Sequence, residues 1–157
     1  MSRYEYGPEE LTVARDHVGR LHRAGQTVMV QPYLSDIDVN GETAMVYIDG
    51  RYSHSVRKAG LLLRGAGIVD RLWEREQVSP VDASPHERQL ASDVMACVRR
   101  RVGPTTYARV DLFPGVSGTP VVGEVELVDP SMLFALCPDA TSRFVAALAG
   151  RVAADAG

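Results

Sequence analysis

The sequence predicts an α+β fold, an antiparallel sheet flanked by helices. Two observations carry this. Strand-like runs come in adjacent pairs around turn signals, at residues 42–58 and 107–127, and amphipathic helical patterns stand before, between and after them. Hairpins beside helices favour an antiparallel sheet over a doubly wound parallel one.

In chain order, residues 7–25 read as the first helix. Pro8 suits its first turn, Glu9 and Glu10 its positive end, and Gly25 its stop. Leu11, Ala14, Val18 and Leu21 form its expected buried stripe. Residues 27–34, "TVMVQPYL", read as a β-rich run whose far end Pro32 confines to an edge or exit. Asp49-Gly50 is a two-residue hairpin signal that would pair Ile48 with Arg51, Ala44 with Ser55 and Glu42 with Arg57. Residues 59–82 read as a long loop holding at most a short strand or helical turn.

Ser84, Pro85 and Glu87 announce the second helix by a capping box, with Leu90, Val94, Cys97 and Val98 as its stripe. The second hairpin follows, and "SMLFAL" reads as a buried strand or an extended segment. The last helix, from Pro138, is expected to turn Phe144, Val145, Leu148 and Val152 inward.

The chain has 157 residues, 45% hydrophobic and 24% charged, which fits one soluble domain. The net charge of −3 offers no basic surplus for nucleic acid or an anionic membrane, and no window is long enough for a membrane span. No apolar leader stands at the N-terminus, and Cys97 and Cys137 are isolated thiols, so a cytoplasmic setting is expected. The four histidines form no triad with a nucleophile. His17, His22 and His86 read as surface residues, whereas His54, mid-strand, would line a cleft or fill core. Trp73 reads as a packing residue, either an anchor of the long loop or part of an interface.

The second hairpin carries the chemistry. With Ser117-Gly118 as its turn, Asp111 faces Glu124 and Arg109 faces Glu126, all four on one face. Ala108, Val110, Leu112, Val125 and Leu127 form the apolar face behind them. Like charges directly opposite destabilise a sheet, and Arg109 covers one of them at most. Either the face is a solvated polar one, or a hard divalent cation with oxygen ligands neutralises it.

"YARVDL" and, further on, "GEVELVDPS" resemble the metal-binding end of the ATP-grasp ligases. The resemblance implies that Asp111 and Glu124 hold Mg2+ on ATP, and that Arg109 steadies the transferring phosphoryl group or an acyl phosphate. Glu126 stands where the family pattern has asparagine, so its ligand role comes with an added charge. "VMVQPYL" resembles the segment linking the family's two ATP-clamping lobes, which implies an adenine slot lined by Gln31, Pro32, Tyr33 and Leu34. "GRYSHSVRK" resembles the following strand, which implies that Arg57 and Lys58 face phosphates or substrate.

The likeness is to a bacterial subgroup that includes the ring-closing ligase of cycloserine biosynthesis. It implies a single domain over 1–157, with residues 1–26 a lead-in helix and 27–150 the hinge, hairpins and metal-site sheet. This would be the C-terminal ATP-grasp lobe without the N-terminal domain and most of the small lobe. Lys58 is the only lysine in the chain, so no phosphate lysine precedes the hinge. The family's reaction activates a small carboxylate with ATP and passes the acyl phosphate to an amine, releasing ADP. A half-clamp is expected to be weak or inactive alone, completed by a homodimer partner or a complementing subunit. The alternative is a non-catalytic binding or assembly module on the same fold.

Overall fold

A computed structural model describes residues 3–4, 7–59, 77–115 and 118–155. Trp73, most of the long loop and Ser117 of the expected turn lie outside the described residues. Contacts divide the chain into two units, a smaller one reaching to Tyr33 and a larger one that begins at Leu34.

The smaller unit holds α1 (Pro8–Arg23), with Glu9 and Glu10 in its first turn and Arg20, His22 and Arg23 in its last, each end matched to the helix dipole. None of its residues is buried, and Leu11 of the expected stripe is exposed. The edge of Tyr4 packs on His17, and its hydroxyl meets His17 Nδ1, so His17 is half-buried rather than a plain surface residue. Residues 27–34 form no strand, contrary to the sequence pattern. A β run needs a neighbour to take its backbone bonds, and among the described residues no strand pairs with this one. Met29 and Val30 are accordingly exposed.

The larger unit contains α2 (Ile37–Asn40), β1 (Glu42–Ile48), β2 (Arg51–Lys58), β3 (Val78–Pro80), α3 (Pro85–Arg101), β4 (Tyr107–Pro114), β5 (Pro120–Glu126), a 3-10 turn (Phe134–Leu136) and α4 (Pro138–Asp155). Its five-stranded sheet has the order β3-β2-β1-β4-β5, every neighbouring pair antiparallel. It is the α+β architecture expected, with β3 supplying the strand that residues 27–34 do not. Among the described residues no helix is long and apolar enough to cross a membrane.

α3 covers one face of the sheet. Ser84 and Glu87 exchange the two hydrogen bonds of a capping box at its start. Its buried residues are Ala91 and Met95, with Leu90 and Val94 packed beside them against Met45, Val110 and Leu112. α4 covers one end of the other face through Ala140, Phe144 and Ala147, which meet Val46 and Ile48. Val145, Leu148 and Val152, expected inward, are exposed because the helix is rotated toward its alanines. "SMLFAL" is likewise no strand. Leu133 takes a left-handed φ of 54°, and the chain then coils into the 3-10 turn.

Both hairpins contain a bulge that single-register pairing does not foresee. In the first, Ile48 pairs with Arg51 and Tyr47 with Tyr52 as the Asp49-Gly50 turn dictates, but Val46 then pairs with His54. Ser53 is the extra residue, so Glu42 faces Lys58 instead of Arg57, and His54 faces Val46 instead of Met45. In the second, Asp111 pairs with Glu124 but Leu112 with Val122, leaving Gly123 over. A Cβ at Gly123 would stand 2.5 Å from the Phe113 ring, so the bulge admits no side chain there without moving that ring.

Candidate functional site

Alternation along β4 sends Arg109 and Asp111 to the face away from α3, where they meet Glu124 and Glu126 of β5. The bulge at Ser53 brings Lys58 to the same face, opposite Glu42, which alternation along β1 already places there. Without that extra residue Arg57 would point here. The structure instead turns Arg57 to the α3 face, where its Nη1 donates to Asn40 O at 2.8 Å and its Nη2 lies 3.9 Å from Glu87. The two basic residues that the sequence pairs as phosphate ligands are therefore on opposite faces.

The cluster is organised by its cations. Arg109 Nε donates to Asp111 Oδ1 and Nη2 to Asp111 Oδ2, both at 2.8 Å. Nη2 also donates to Glu126 Oε1, and Nη1 donates to Ser131 O at 3.4 Å. Lys58 Nζ donates to Asp111 Oδ2 at 2.9 Å and contacts Glu42 Oε1 at 2.7 Å. Arg109, Asp111 and Lys58 are 6%, 2% and 7% exposed, so this is a buried ion network. Buried charges are tolerated only when paired and hydrogen-bonded, as they are here.

The shifts follow from this pairing. Burial would depress the Lys58 amine, but Asp111 and the bond to Glu42 outweigh it and hold the amine above its ordinary value. Arg109 is raised likewise, burial being outweighed by Asp111 and then Glu126. Burial pushes the Glu126 carboxyl above its usual range, Glu124 and Asp111 add to that, and Arg109 and Lys58 oppose it. The sequence assigned Arg109 a single carboxylate and left the others to a metal. In the fold Arg109 takes Asp111 and Glu126, and Lys58 takes Glu42 and shares Asp111, because the bulge turns Lys58 inward.

Asp111, Glu124 and Glu126 each offer a carboxylate oxygen, and these atoms lie within 4.8 Å of one another. The oxygens of an octahedral Mg2+ shell span up to about 4.2 Å, so modest side-chain shifts would let all three share one ion. Within the group, four carboxylates (Glu42, Asp111, Glu124, Glu126) face two cations (Lys58, Arg109). With all ionised, the two uncompensated negative charges match one divalent ion. A hard cation with oxygen ligands therefore fits both the donor chemistry and the charge.

The other residues singled out in the sequence lie elsewhere. Gln31, Pro32 and Tyr33 belong to the smaller unit, with the Arg3 guanidinium over the Tyr33 ring at 3.7 Å, and Leu34 opens the larger one. Glu42 and Ser53 escaped sequence reasoning. Their signal is the polar run Ser53-His54-Ser55, which breaks strict alternation and marks the bulge.

No family model matches the chain. Among curated proteins, the cycloserine biosynthesis protein DcsG of Streptomyces lavendulae is 34% identical over 142 residues, covering 88% of this chain and 47% of that protein. The crystal structure of D-cycloserine synthetase DcsG superposes with a TM-score of 0.77 over 89% of this chain and 48% of its own. D-alanine–D-alanine ligase from Bacillus anthracis complexed with ATP superposes with a TM-score of 0.58 at 20% identity, covering 99% of this chain and 52% of that one, and shares the fold. The chain thus spans about half the length of the proteins it matches.

Proposed function

We propose, for a chain that is a relative of the ATP-grasp ligases and spans about half the length of those it matches, that it supplies the magnesium- and nucleotide-binding half of an ADP-forming carboxylate–amine ligase. The observation that supports this best is the convergence of three carboxylates, Asp111, Glu124 and Glu126, beside two buried cations on one sheet face.

Asp111, Glu124 and Glu126 would hold Mg2+, which would supply neutralisation of the phosphate charge. Arg109, whose guanidinium is already fixed by Asp111 and Glu126, donates to the oxygens of the transferring phosphoryl group or acyl phosphate. Lys58 offers a compact point charge to the phosphates. Gln31, Pro32, Tyr33 and Leu34 line the adenine slot. Phosphoryl transfer is mostly positioning and charge stabilisation, so the chain's part is to hold ATP while a small carboxylate attacks and an amine then displaces phosphate. A covering lobe, from a second copy or a complementing subunit, excludes water. The free thiols Cys97 and Cys137 suit a reducing, cytoplasmic setting.

One observation favours a second reading, a non-catalytic binding or assembly module. Lys58 and Arg109 already satisfy Asp111, so the network can stand without a metal. Thermal melting with and without Mg2+ and ATP separates the two, since a ligand that binds only the folded chain raises its melting point. The ligase reading expects a rise that Asp111→Asn plus Glu124→Gln abolishes, and no shift at millimolar ligand would favour the module instead.

A further inference from the structure

His54 is a buried titratable group that the reading above leaves unused. It is 8% exposed, in β2 beside the bulge, on the face that carries Lys58 and Arg109. Its Nε2 lies 3.0 Å from Met132 O. A carbonyl only accepts, so Nε2 carries the proton and Nδ1 is the acceptor. The Ser53 hydroxyl stands 3.0 Å from Nδ1 and itself accepts from Arg143 Nη2 at 2.8 Å. Arg143, Ser53, His54 and Met132 thus form one chain in which every donor has an acceptor. Burial, and then the charge of Arg143, hold the imidazole below its ordinary pKa against the opposing pull of the Met132 bond.

The segment this chain grips follows directly on β5, the strand of Glu124 and Glu126. Asp129 and Leu133 bracket it with left-handed φ values of 49° and 54°, unusual for residues other than glycine. Such backbone persists only where the surroundings fix it. Here two side chains from different strands take successive carbonyls, Arg109 of β4 at Ser131 O and His54 of β2 at Met132 O.

We propose that His54 is a positioning residue of the acidic site: by holding Met132 O it fixes the 129–133 turn, and with it the Ser131 carbonyl that anchors Arg109. Ser131 O holds Nη1 while Nε and Nη2 bond Asp111 and Glu126, which fixes the plane of the guanidinium. Once the turn loosens, Nη1 loses its neutral acceptor, and the guanidinium is free to swing it onto carboxylate oxygens that a cation would need. The inference rests on the metal-site reading.

The test compares His54→Gln with His54→Asn in the full chain, because a glutamine amide reaches Met132 O and an asparagine amide does not. Mn2+ alone is titrated by electron paramagnetic resonance, and amide exchange is followed in peptides covering the turn and α3. H54N is expected to weaken Mn2+ binding about tenfold, the usual scale for losing a residue that orients metal ligands. It should also speed exchange in the turn but not in α3, and H54Q should restore both. Mn2+ binding indifferent to H54N, or equally weakened in both variants, overturns the proposal and leaves the metal site standing. A native chain that binds no Mn2+ overturns the metal reading and this proposal together. Should H54N fail to fold, Ser53→Ala, which frees the imidazole to present the wrong tautomer, is expected to weaken Mn2+ binding as well, and unchanged affinity there overturns the role.

Discussion

On the face covered by α3, β1 and β4 present Met45, Tyr47, Ala108, Val110 and Leu112; on the other face the intervening residues are Ala44, Val46, Arg109 and Asp111. The same strands, read at alternate residues, thus build two kinds of interior. The α3 face is packed mainly with apolar side chains, with Thr43 and Arg57 set against Glu87 of α3. The other is apolar only where α4 covers it, and its far end carries a buried ion network that opens toward Glu124 at the edge strand. Apolar packing is non-directional, so the apolar part of the first face needs only volume and pattern. The second needs every donor aimed at an acceptor, because one unpaired charge at 2–7% exposure is expensive.

Adjacent residues on opposite faces give the sharpest way to break this comparison. Asp111→Ala leaves Lys58 and Arg109 buried without their shared partner and is expected to cost about 3–5 kcal/mol. Leu112→Ala, its neighbour on the α3 side, opens a cavity at a 1% exposed site and is expected to cost about 2–5 kcal/mol. Urea denaturation should find the two losses similar. Melting with Mg2+ and ATP should not: the leucine variant keeps its ligand response and the aspartate variant loses it. Should Leu112→Ala also lose that response while still folded, the two faces are not separate in function.

A smaller effect tests how the α3 face is assembled. Ser84→Ala removes the cap from α3 and is expected to cost about 1 kcal/mol with no change in ligand response. The same change alters acid stability. Burial would raise the Glu87 carboxyl, but bonds from Thr43 and Ser84 outweigh it and hold it below its ordinary value. The stability Glu87 contributes is therefore full above its ordinary titration range and is lost as pH falls through the lowered one. Ser84→Ala removes part of that depression, so its deficit should shrink in acid. A deficit that stays constant from neutral pH to pH 4 would show that the cap acts on the helix alone.

The α3 side was legible because its signals are local. The Ser84–Glu87 box, the Asp49-Gly50 turn and the alternation through Val110 and Leu112 each declare themselves within a few residues. Asp111 faces Glu124 and Arg109 faces Glu126 as expected, but only because the bulge at Gly123 offsets the pairs nearer the turn, which run one residue off the register that a Ser117-Gly118 turn would set. What escaped was the bulge at Ser53, since one extra residue leaves composition untouched yet exchanges Arg57 for Lys58 at the site. On α4 the inward Phe144 was legible but the rest of its inward face escaped, because Ala140 and Ala147 compete poorly with Val145 and Leu148 in any hydrophobicity count, and only packing selects them. Residues 27–34 have strand composition, but a strand depends on its neighbour, which the local pattern does not contain.

Glu124→Gln should have the smallest effect on stability and the most telling one on function. Glu124 is exposed, unlike Asp111, and it lies within the oxygen cluster rather than in the core of the ion network. Its charge helps push the Glu126 carboxyl upward, so removing it relieves repulsion. Substitutions at such sites usually change stability by less than about 0.5 kcal/mol, and here the sign should be neutral or slightly favourable. If the cluster is a cation site, the variant melts like the parent without ligand but gains nothing from Mg2+ and ATP. If the cluster is only a polar face, both chains respond alike. Glu124 therefore separates the two readings cleanly: it can be neutralised without disturbing the bonds among Arg109, Asp111 and Lys58, and any loss it causes must come from the ligand side.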